Sequence, residues 1–524
     1  MKKITFLIAS WLPILTILIV GAYLRLYKIS LYMTFLGDEG RDALIVKRMI
    51  VDGKLTLLGP TASVGGFFMG PIYYYFMVPF LWLWNFNPVG PAIMVALFGI
   101  ATIFLVYYVG KRIFGREVGL VASGLYAVSP LIISYSRSSW NPNIVPFFGI
   151  LLFFFLWDVV VNNHWKRLFW IGIILGMGLQ LHYTFFFLFG IVVLWFLLYG
   201  RNLSFVKYYV FGFVGFFIGF SPFLAFEVRH RFTNIRSIVA FVFEGKDTGF
   251  SVSHFFSNIV DVYFRLFGRL ILRIPEKGVL GNLPFVEKTL LIDTTWFMCF
   301  LGILVFIGIF FFRKKIFATL SLDGKRKDQV LYGMRLLFLW LFVILCLFGF
   351  YKKSIYDYYY GIMYFVPFFI TGLVFAFLFY KGLVLRAVGL ILLGVLIVHN
   401  WEGRPFRFTP NNQLGQVERI AREVIDKTDG KPFNFALITG GNSDHAYRYF
   451  FELWKRTPVT IENTVIDPER KTVTDQLLIV CEDIFCKPLG NSLWEVAGFG
   501  RTEIVGQWDV SVVKIYKLIH YYGT

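Results

Sequence analysis

The chain has 524 residues, of which 57% are hydrophobic, 20% aromatic and only 16% charged. A soluble globular chain is closer to half apolar and about a quarter charged, so this composition excludes a soluble enzyme, a disordered chain and, with four cysteines, a disulfide-stapled scaffold. The net charge of +19 is unevenly held: residues 401–524 carry 15 Lys+Arg against 16 Asp+Glu and residues 1–400 carry 36 against 16, so the basic excess sits between apolar runs and reads as membrane topology and anionic lipid, with no nucleic acid.

Lys2-Lys3 and the apolar run Ile4–Tyr23 read as an uncleaved first span. The run is too long for the apolar region of a signal peptide, and no small-residue cleavage site follows. Gly37-Asp38-Glu39-Gly40-Arg41-Asp42 then gathers three carboxylates and an arginine where the chain leaves the bilayer. Behind them Ala43–Val46, Met49, Ile50 and Val51 alternate with Lys47-Arg48, the pattern of a short interfacial helix. A carboxylate beside low dielectric has its pKa raised and can serve as a general base. The alternative is a solvated helix start, because acidic residues favour the first turn.

Further apolar runs lie near 68–86, 91–109, 118–136, 144–161, 168–199, 205–226, 293–312, 331–350, 359–380 and 384–399. With about 20 residues per crossing, and 168–199 taken as two short spans, the fold class is a polytopic α-helical membrane protein of about 11–13 transmembrane helices. Lys166-Arg167, Arg201, Lys207, Arg313-Lys314-Lys315 and Lys325-Arg326-Lys327 mark the cytoplasmic face. Residues 28–67, 227–292, 351–358 and the tail then lie outside. One conflict is left: either one segment among 68–109 does not cross fully, or the basic loop Lys111-Arg112-Arg116 breaks the positive-inside rule.

Four polar stretches interrupt the apolar pattern besides the acidic one. Tyr135–Asn143 sets Arg137 among serines, Asn141 and Asn143, which suits a phosphate or sugar; a polar loop with a snorkelling arginine is the alternative. Gln180-Leu181-His182-Tyr183 places an ionisable ring in a very apolar run, where it is a functional candidate by default, or a turn near the interface. The loop 227–292 carries Arg265 and Arg269 among other basic residues and is partly amphipathic, so it can lie across the membrane as a lid. Tyr351–Tyr360 holds Lys352 and Lys353 against the positive-inside bias, which a lipid phosphate on the outer side would explain; an aromatic girdle is the alternative.

From His399-Asn400 the composition changes. Residues 416–427 read as an amphipathic helix, Phe433–Ile438 as a strand, Asp444–Lys455 as a helix with Ser443 or Asp444 as its cap, and Gln476–Val480 and Val510–Leu518 as strands. The reading is a domain of residues 1–400 in the membrane and a small α/β domain of residues 401–524 outside it. Cys481 and Cys486 are as readily two thiols as a bridge. No HExxH, Walker A or GxSxG motif occurs, so soluble-type nucleotide chemistry finds no support.

Asp38-Glu39 after the first span, the Tyr135–Asn143 loop, Gly178-Leu179-Gln180-Leu181-His182 and Tyr360–Pro367 together resemble the GT-C class of membrane-embedded glycosyltransferases. Within it the chain is most similar to the branch of protein O-mannosyltransferases and aminoarabinose lipid A transferases. The resemblance covers about residues 1–400. It implies transfer of a sugar from a polyprenyl-phosphate donor to an acceptor (lipid, glycan or protein) on the outer face of the plasma membrane, with the C-terminal domain extracytoplasmic. It makes Asp38 the base and Glu39 its acidic neighbour. Arg41, Arg137, Asn141 and Asn143 are expected around the donor's phosphate and sugar, with His182, Tyr183, Lys352, Lys353 and Tyr360. His182 falls where relatives often carry a lysine.

The chain departs from that pattern at Asn141 and Asn143, where relatives have an aspartate, and at Phe68–Ile72, which lacks their basic residue. No metal site carries over. The chemistry calls for no cofactor, and a divalent metal is left open. A single base directing attack implies inversion at the anomeric carbon. The alternative function is a transporter or flippase of lipid-linked sugars, which should show repeated halves and polar midplane sites; neither is legible here.

Overall fold

A segment in hydrocarbon must satisfy its own backbone hydrogen bonds, which a helix does, and the apolar runs fold accordingly. The computed structural model describes all residues except Met1, 201–205, 245–247, 320–323, Ile484, Tyr522 and Thr524, and describes the backbone alone for 2–10, 312–319 and Lys325. Arg201 and the side chains of Lys2, Lys3, Arg313, Lys314, Lys315 and Lys325, which carried part of the orientation argument, lie outside the described residues.

In chain order the first helices are α1 (Lys2–Leu26), α2 (Ile29–Tyr32), α3 (Gly37–Asp52), α4 (Ile72–Leu83), α5 (Val89–Ile113), α6 (Arg116–Val128) and α7 (Pro130–Tyr135). There follow α8 (Val145–Asn162), α9 (Leu168–Leu181), α10 (Phe186–Tyr199), α11 (Val206–Arg229), α12 (Thr233–Phe243), α13 (Val252–Leu270) and α14 (Lys277–Gly281). The last are α15 (Phe285–Thr319), α16 (Gly324–Gly349), α17 (Phe365–Tyr380), α18 (Leu383–Trp401), α19 (Gln413–Asp426), α20 (His445–Leu453) and α21 (Trp494–Ala497). Four strands complete the chain: β1 (Asn434–Ile438), β2 (Gln476–Cys481), β3 (Thr502–Val510) and β4 (Val513–His520).

The chain divides into two compact units. The first comprises Met1–Tyr27, Leu55–Phe76 and Ile93–Thr409. Its fully buried indoles, Trp157, Trp195 and Trp340, each donate to a backbone carbonyl, of Gln329, Leu156 and Ile362 respectively. That removes the cost of an unpaired N–H in an apolar interior. α9 and α11 cross at backbone contact: a Cβ on Gly172 would lie 2.0 Å from the Gly212 oxygen, and one on Gly215 would lie 2.0 Å from the Phe169 oxygen. Only glycine permits that approach, which replaces the hydrophobic drive that lipid cannot supply.

The second unit comprises Lys28–Lys54, Met77–Ala92 and Pro410–Thr524. The expected break near residue 400 thus falls after Thr409, and the small domain takes in two segments from the other end of the chain. Its sheet has the order β1-β2-β4-β3, with β1 and β2 parallel and the other pairs antiparallel. Every residue of β2 is buried, as its apolar sequence Gln476–Cys481 requires of a strand covered on both faces. β3 was not anticipated, because its apolar residues do not alternate cleanly and much of it is exposed. Cys481 and Cys486 are bridged.

Two chain segments dock on this sheet domain. The Asn412 N–H donates to the Leu31 oxygen at 2.9 Å, and the Phe35 ring packs against Tyr449 and Phe450 at 6.0 and 5.9 Å. Glu452 of α20 takes Lys47 at 3.0 Å and Arg48 at 2.6 Å from α3. Around the α4–α5 turn, the Tyr449 hydroxyl donates to the Phe86 oxygen.

Among the described residues, six helices are long and apolar enough to cross a membrane, or seven if the turn Asp357–Met363 and α17, bent by 59°, form one span. α4 has 12 residues, about 18 Å at 1.5 Å each, against a hydrocarbon core of about 30 Å; α6, α9 and α10, with 13, 14 and 14 residues, are also shorter than that core.

Candidate active site

Asp38 and Glu39 sit in the first turn of α3, where unpaired N–H groups favour negative charge. They face different surroundings. Glu39 is buried and reaches back to accept the Leu36 N–H at 3.0 Å, half of a capping box. Burial pushes its pKa up to about 7. Asp38 is 56% exposed and takes Arg41 Nη1 at 2.9 Å. Arg41 Nε and Nη2 also hold Asp42 Oδ1, at 2.9 and 2.8 Å, and Asp42 is fully buried. Of the three carboxyls Asp38 alone is open to an incoming acceptor. The arginine expected on a donor phosphate is engaged by two carboxylates, because its planar fork fits them at i−3 and i+1.

Behind α3 lies the turn Gly440–Asp444 and the start of α20. Ser443 Oγ and His445 Nδ1 are 2.8 Å apart. Burial lowers the pKa of His445, which also feels the charges of Asp444, Arg41, Arg448 and Asp38. Asp444 takes the N-cap position of α20 without a side-chain cap bond; its carboxylate pairs with Arg448 instead.

In the other unit the structure brings together His182, Tyr183 and Asn141. α9 stops at Leu181, His182 is extended, and a 3-10 turn over Tyr183–Phe185 leads into α10. Asn141 Nδ2 donates to the freed Leu181 oxygen at 2.6 Å. His182 Nδ1 lies 2.8 Å from Thr184 Oγ1, and its ring stacks on Tyr183 at 4.4 Å. Tyr359 and Tyr358 follow at 5.5 and 5.8 Å, and Trp140 closes on Tyr358 at 4.5 Å. Three tyrosine rings thus surround one imidazole, with Trp140 beyond them, an aromatic surface on which an apolar face can stack. Asn143 donates to the Ser138 oxygen at 2.9 Å, and its buried Oδ1 accepts nothing. Lys352 and Lys353 are exposed.

Two expected donor residues are otherwise occupied. Arg137 is 1% exposed and caps the C-terminus of α1, donating to the oxygens of Leu24 at 2.8 Å, Arg25 at 3.1 Å and Tyr27 at 2.8 Å. A cation on the last carbonyls of a helix satisfies orphan acceptors, so Arg137 serves as a cap of α1. Tyr360 is fully buried and spends its hydroxyl on Asp357.

Asp357 is the residue whose importance sequence reasoning missed. Nearly buried, it takes Arg265 on one oxygen and Arg269 on the other at 2.7 Å, and so fastens α13 to the tyrosine-rich turn. An acid isolated among five tyrosines was the available signal. Two of the basic residues of the expected lid, Arg265 and Arg269, thereby share one carboxylate. Among the described residues, no group of three or more His, Cys, Asp or Glu side chains is placed to hold a metal ion.

Residues 69–226 match the model of the family described as dolichyl-phosphate-mannose-protein mannosyltransferase. No curated protein matches the sequence. The fold is similar to that of ArnT from Cupriavidus metallidurans bound to undecaprenyl phosphate, with a TM-score of 0.59, 13% identity and 97% of each chain covered. It is likewise similar to ArnT of the same organism in the apo state, with a TM-score of 0.57, 14% identity and coverage of 99% of this chain and 98% of that one. The likeness runs through both the membrane helices and the small terminal domain, and it establishes the GT-C fold of a multi-pass membrane protein.

Proposed function

We propose that the chain is a membrane glycosyltransferase that moves a sugar from a polyprenyl-phosphate donor to an acceptor, with Asp38 as the base. The observation that carries this reading is the exposed carboxylate of Asp38, in the first turn of α3, on an ArnT-like fold. The ArnT neighbour binds undecaprenyl phosphate, and the matched family is described by a dolichyl-phosphate sugar; both support a polyprenyl-phosphate donor here. Neither the fold nor the family match supports the transporter alternative.

The donor already carries an activated anomeric carbon. Asp38 takes the proton of the acceptor's hydroxyl or amine, the freed lone pair bonds to that carbon, and the bond to the phosphate oxygen breaks with its electrons leaving on polyprenyl phosphate. Asn141, Asn143, His182 and Tyr183 are assigned to the donor, with Lys352 and Lys353 as the exposed cations for its phosphate. The Cys481–Cys486 bridge favours an oxidising, extracytoplasmic setting for the terminal domain, opposite the basic loops, in the plasma membrane. Dependence on a divalent metal is part of the test.

The test is release of polyprenyl phosphate by the purified chain in detergent. It uses a panel of polyprenyl-phosphate monosaccharides and a membrane extract as acceptor source, with and without chelator. Release that disappears in Asp38→Asn supports the reading. Equal release from both proteins removes Asp38 as base, and no release from any donor removes the reading.

A further inference from the structure

The terminal domain holds the backbone from which Asp38 projects, and one side chain is the hub of that hold. Asn442 Oδ1 accepts the Gly37 N–H at 2.9 Å and the Ser443 N–H at 2.9 Å. Its Nδ2 donates to both oxygens of Glu482, at 3.2 and 3.1 Å, and Glu482 accepts the Tyr447 hydroxyl at 2.8 Å. Gly37 immediately precedes Asp38. There is no room for slack at this contact: a Cβ on Gly37 would lie 2.9 Å from the Ser443 nitrogen, and one on Gly40 would lie 2.4 Å from Ala446 backbone. The first turn of α3 is therefore clamped by a side-chain bond on one flank and by backbone contact on the other.

We propose that Asn442 is a positioning residue for Asp38, so that the terminal domain is a working part of the transfer site rather than an appendage. The inference rests on the assignment of Asp38 as base. A carboxylate that must meet one proton gains most of its effect from being held still, and a displacement of about 1 Å can cost a hundredfold in rate. Asn442 touches no reacting atom; it acts through the Gly37 N–H and the Asn442–Glu482–Tyr447 chain, which fixes which way its amide points.

The experiment compares full-length variants in detergent. Asn442→Ala is expected to lower kcat for polyprenyl-phosphate release by about tenfold or more, with KM for the donor unchanged. The Gly37 amide should exchange with deuterium faster. The pair Asn442→Asp with Glu482→Gln keeps an acceptor for Gly37 and a donor beneath it, and should restore the rate. Glu482→Gln alone, expected to give an intermediate loss, serves if Asn442→Ala does not fold. An unchanged kcat in Asn442→Ala, a loss that appears in KM alone, or unchanged Gly37 exchange overturns the proposal. If the native chain releases no polyprenyl phosphate, the transferase reading fails, and the exchange comparison alone decides whether Asn442 holds this turn.

Discussion

Arg41 grips two carboxylates of unlike exposure at once, Asp38 at 2.9 Å and the buried Asp42 at 2.8 Å. The two contacts carry different kinds of energy. The pair with Asp38 is half in water and is worth at most about 1 kcal/mol. Removing the guanidinium from a buried carboxylate costs about 3–5 kcal/mol. Arg41→Ala should therefore lower the thermal midpoint of the chain in detergent by several degrees. Asp38→Asn should leave the midpoint nearly unchanged while abolishing release. Arg41→Lys keeps the charge without the fork and should fall between them. Matching melting losses in Asp38→Asn and Arg41→Ala would contradict this division.

The capping role of Arg137 leads to an opposite pattern. Its guanidinium bonds three carbonyls at the end of α1, and truncation leaves buried acceptors unpaid by any donor. Arg137→Ala is expected to cost about 3 kcal/mol or more of stability. Affinity of the folded fraction for undecaprenyl phosphate, read by native mass spectrometry, should not change. A selective loss of lipid binding at unchanged melting would return Arg137 to the phosphate.

The sequence made the helices, the β1–α20–β2 order and the acidic first turn legible because each rests on local rules: apolar length, periodicity and first-turn charge. The protein partners of Arg137, Tyr360 and Arg41 stayed hidden for a common reason. An arginine among hydroxyls is the same string of letters whether it faces a ligand or the end of a distant helix, and the 113 residues between Arg137 and Leu24 hide that choice. Asn442 was readable only as a turn residue, since its partner Gly37 lies 405 positions away. Charge counting left two choices between residues 28 and 116, an incomplete span among 68–109 or a basic loop that breaks the positive-inside bias; the 12 residues of α4 fit the first.

Glu39 makes stability fall with rising pH. Its folded pKa is raised from 4.5 to about 7 by burial, so between those values the native chain keeps a proton that the unfolded chain has released. The native state binds more protons, and stability declines as pH rises through this window. The full loss, reached above about pH 7, is of the order of 3 kcal/mol. Glu39→Gln keeps an acceptor for the Leu36 N–H and removes the ionisation. Its melting temperature should be flat between pH 5 and 8, roughly the window above, and should exceed that of the native chain at the alkaline end. An unchanged slope in Glu39→Gln would assign the effect to another group.

The α9–α11 crossing gives a sharp contrast between glycines. A side chain on Gly215 would meet the Phe169 oxygen at 2.0 Å, whereas one on Gly190 in α10 meets only a Val343 methyl at 3.9 Å. Backbone cannot yield as a rotamer does, so Gly215→Leu must part the two helices, at a cost above about 3 kcal/mol. Gly190→Ala should be neutral or slightly stabilising, since alanine favours helix over glycine by up to about 1 kcal/mol. Thermal denaturation in one detergent ranks the two directly, and comparable losses at both sites would show that the crossing is not held by backbone approach.

The stereochemical outcome follows from how many carboxylates can act. Retention by double displacement needs a second carboxylate free to bond the anomeric carbon. Glu39, the nearest neighbour in sequence, is buried and tied to the Leu36 N–H, and Asp42 is fully buried under Arg41. Of these three only Asp38 is open, and a base that deprotonates the acceptor directs a single attack from the face opposite the departing phosphate. The product should carry the inverted anomeric configuration, read from the anomeric proton coupling of a product made with a donor of known configuration. A sugar covalently trapped on the chain, or a product that keeps the donor's configuration, would falsify the single displacement and point to a nucleophile other than Asp38, Glu39 and Asp42.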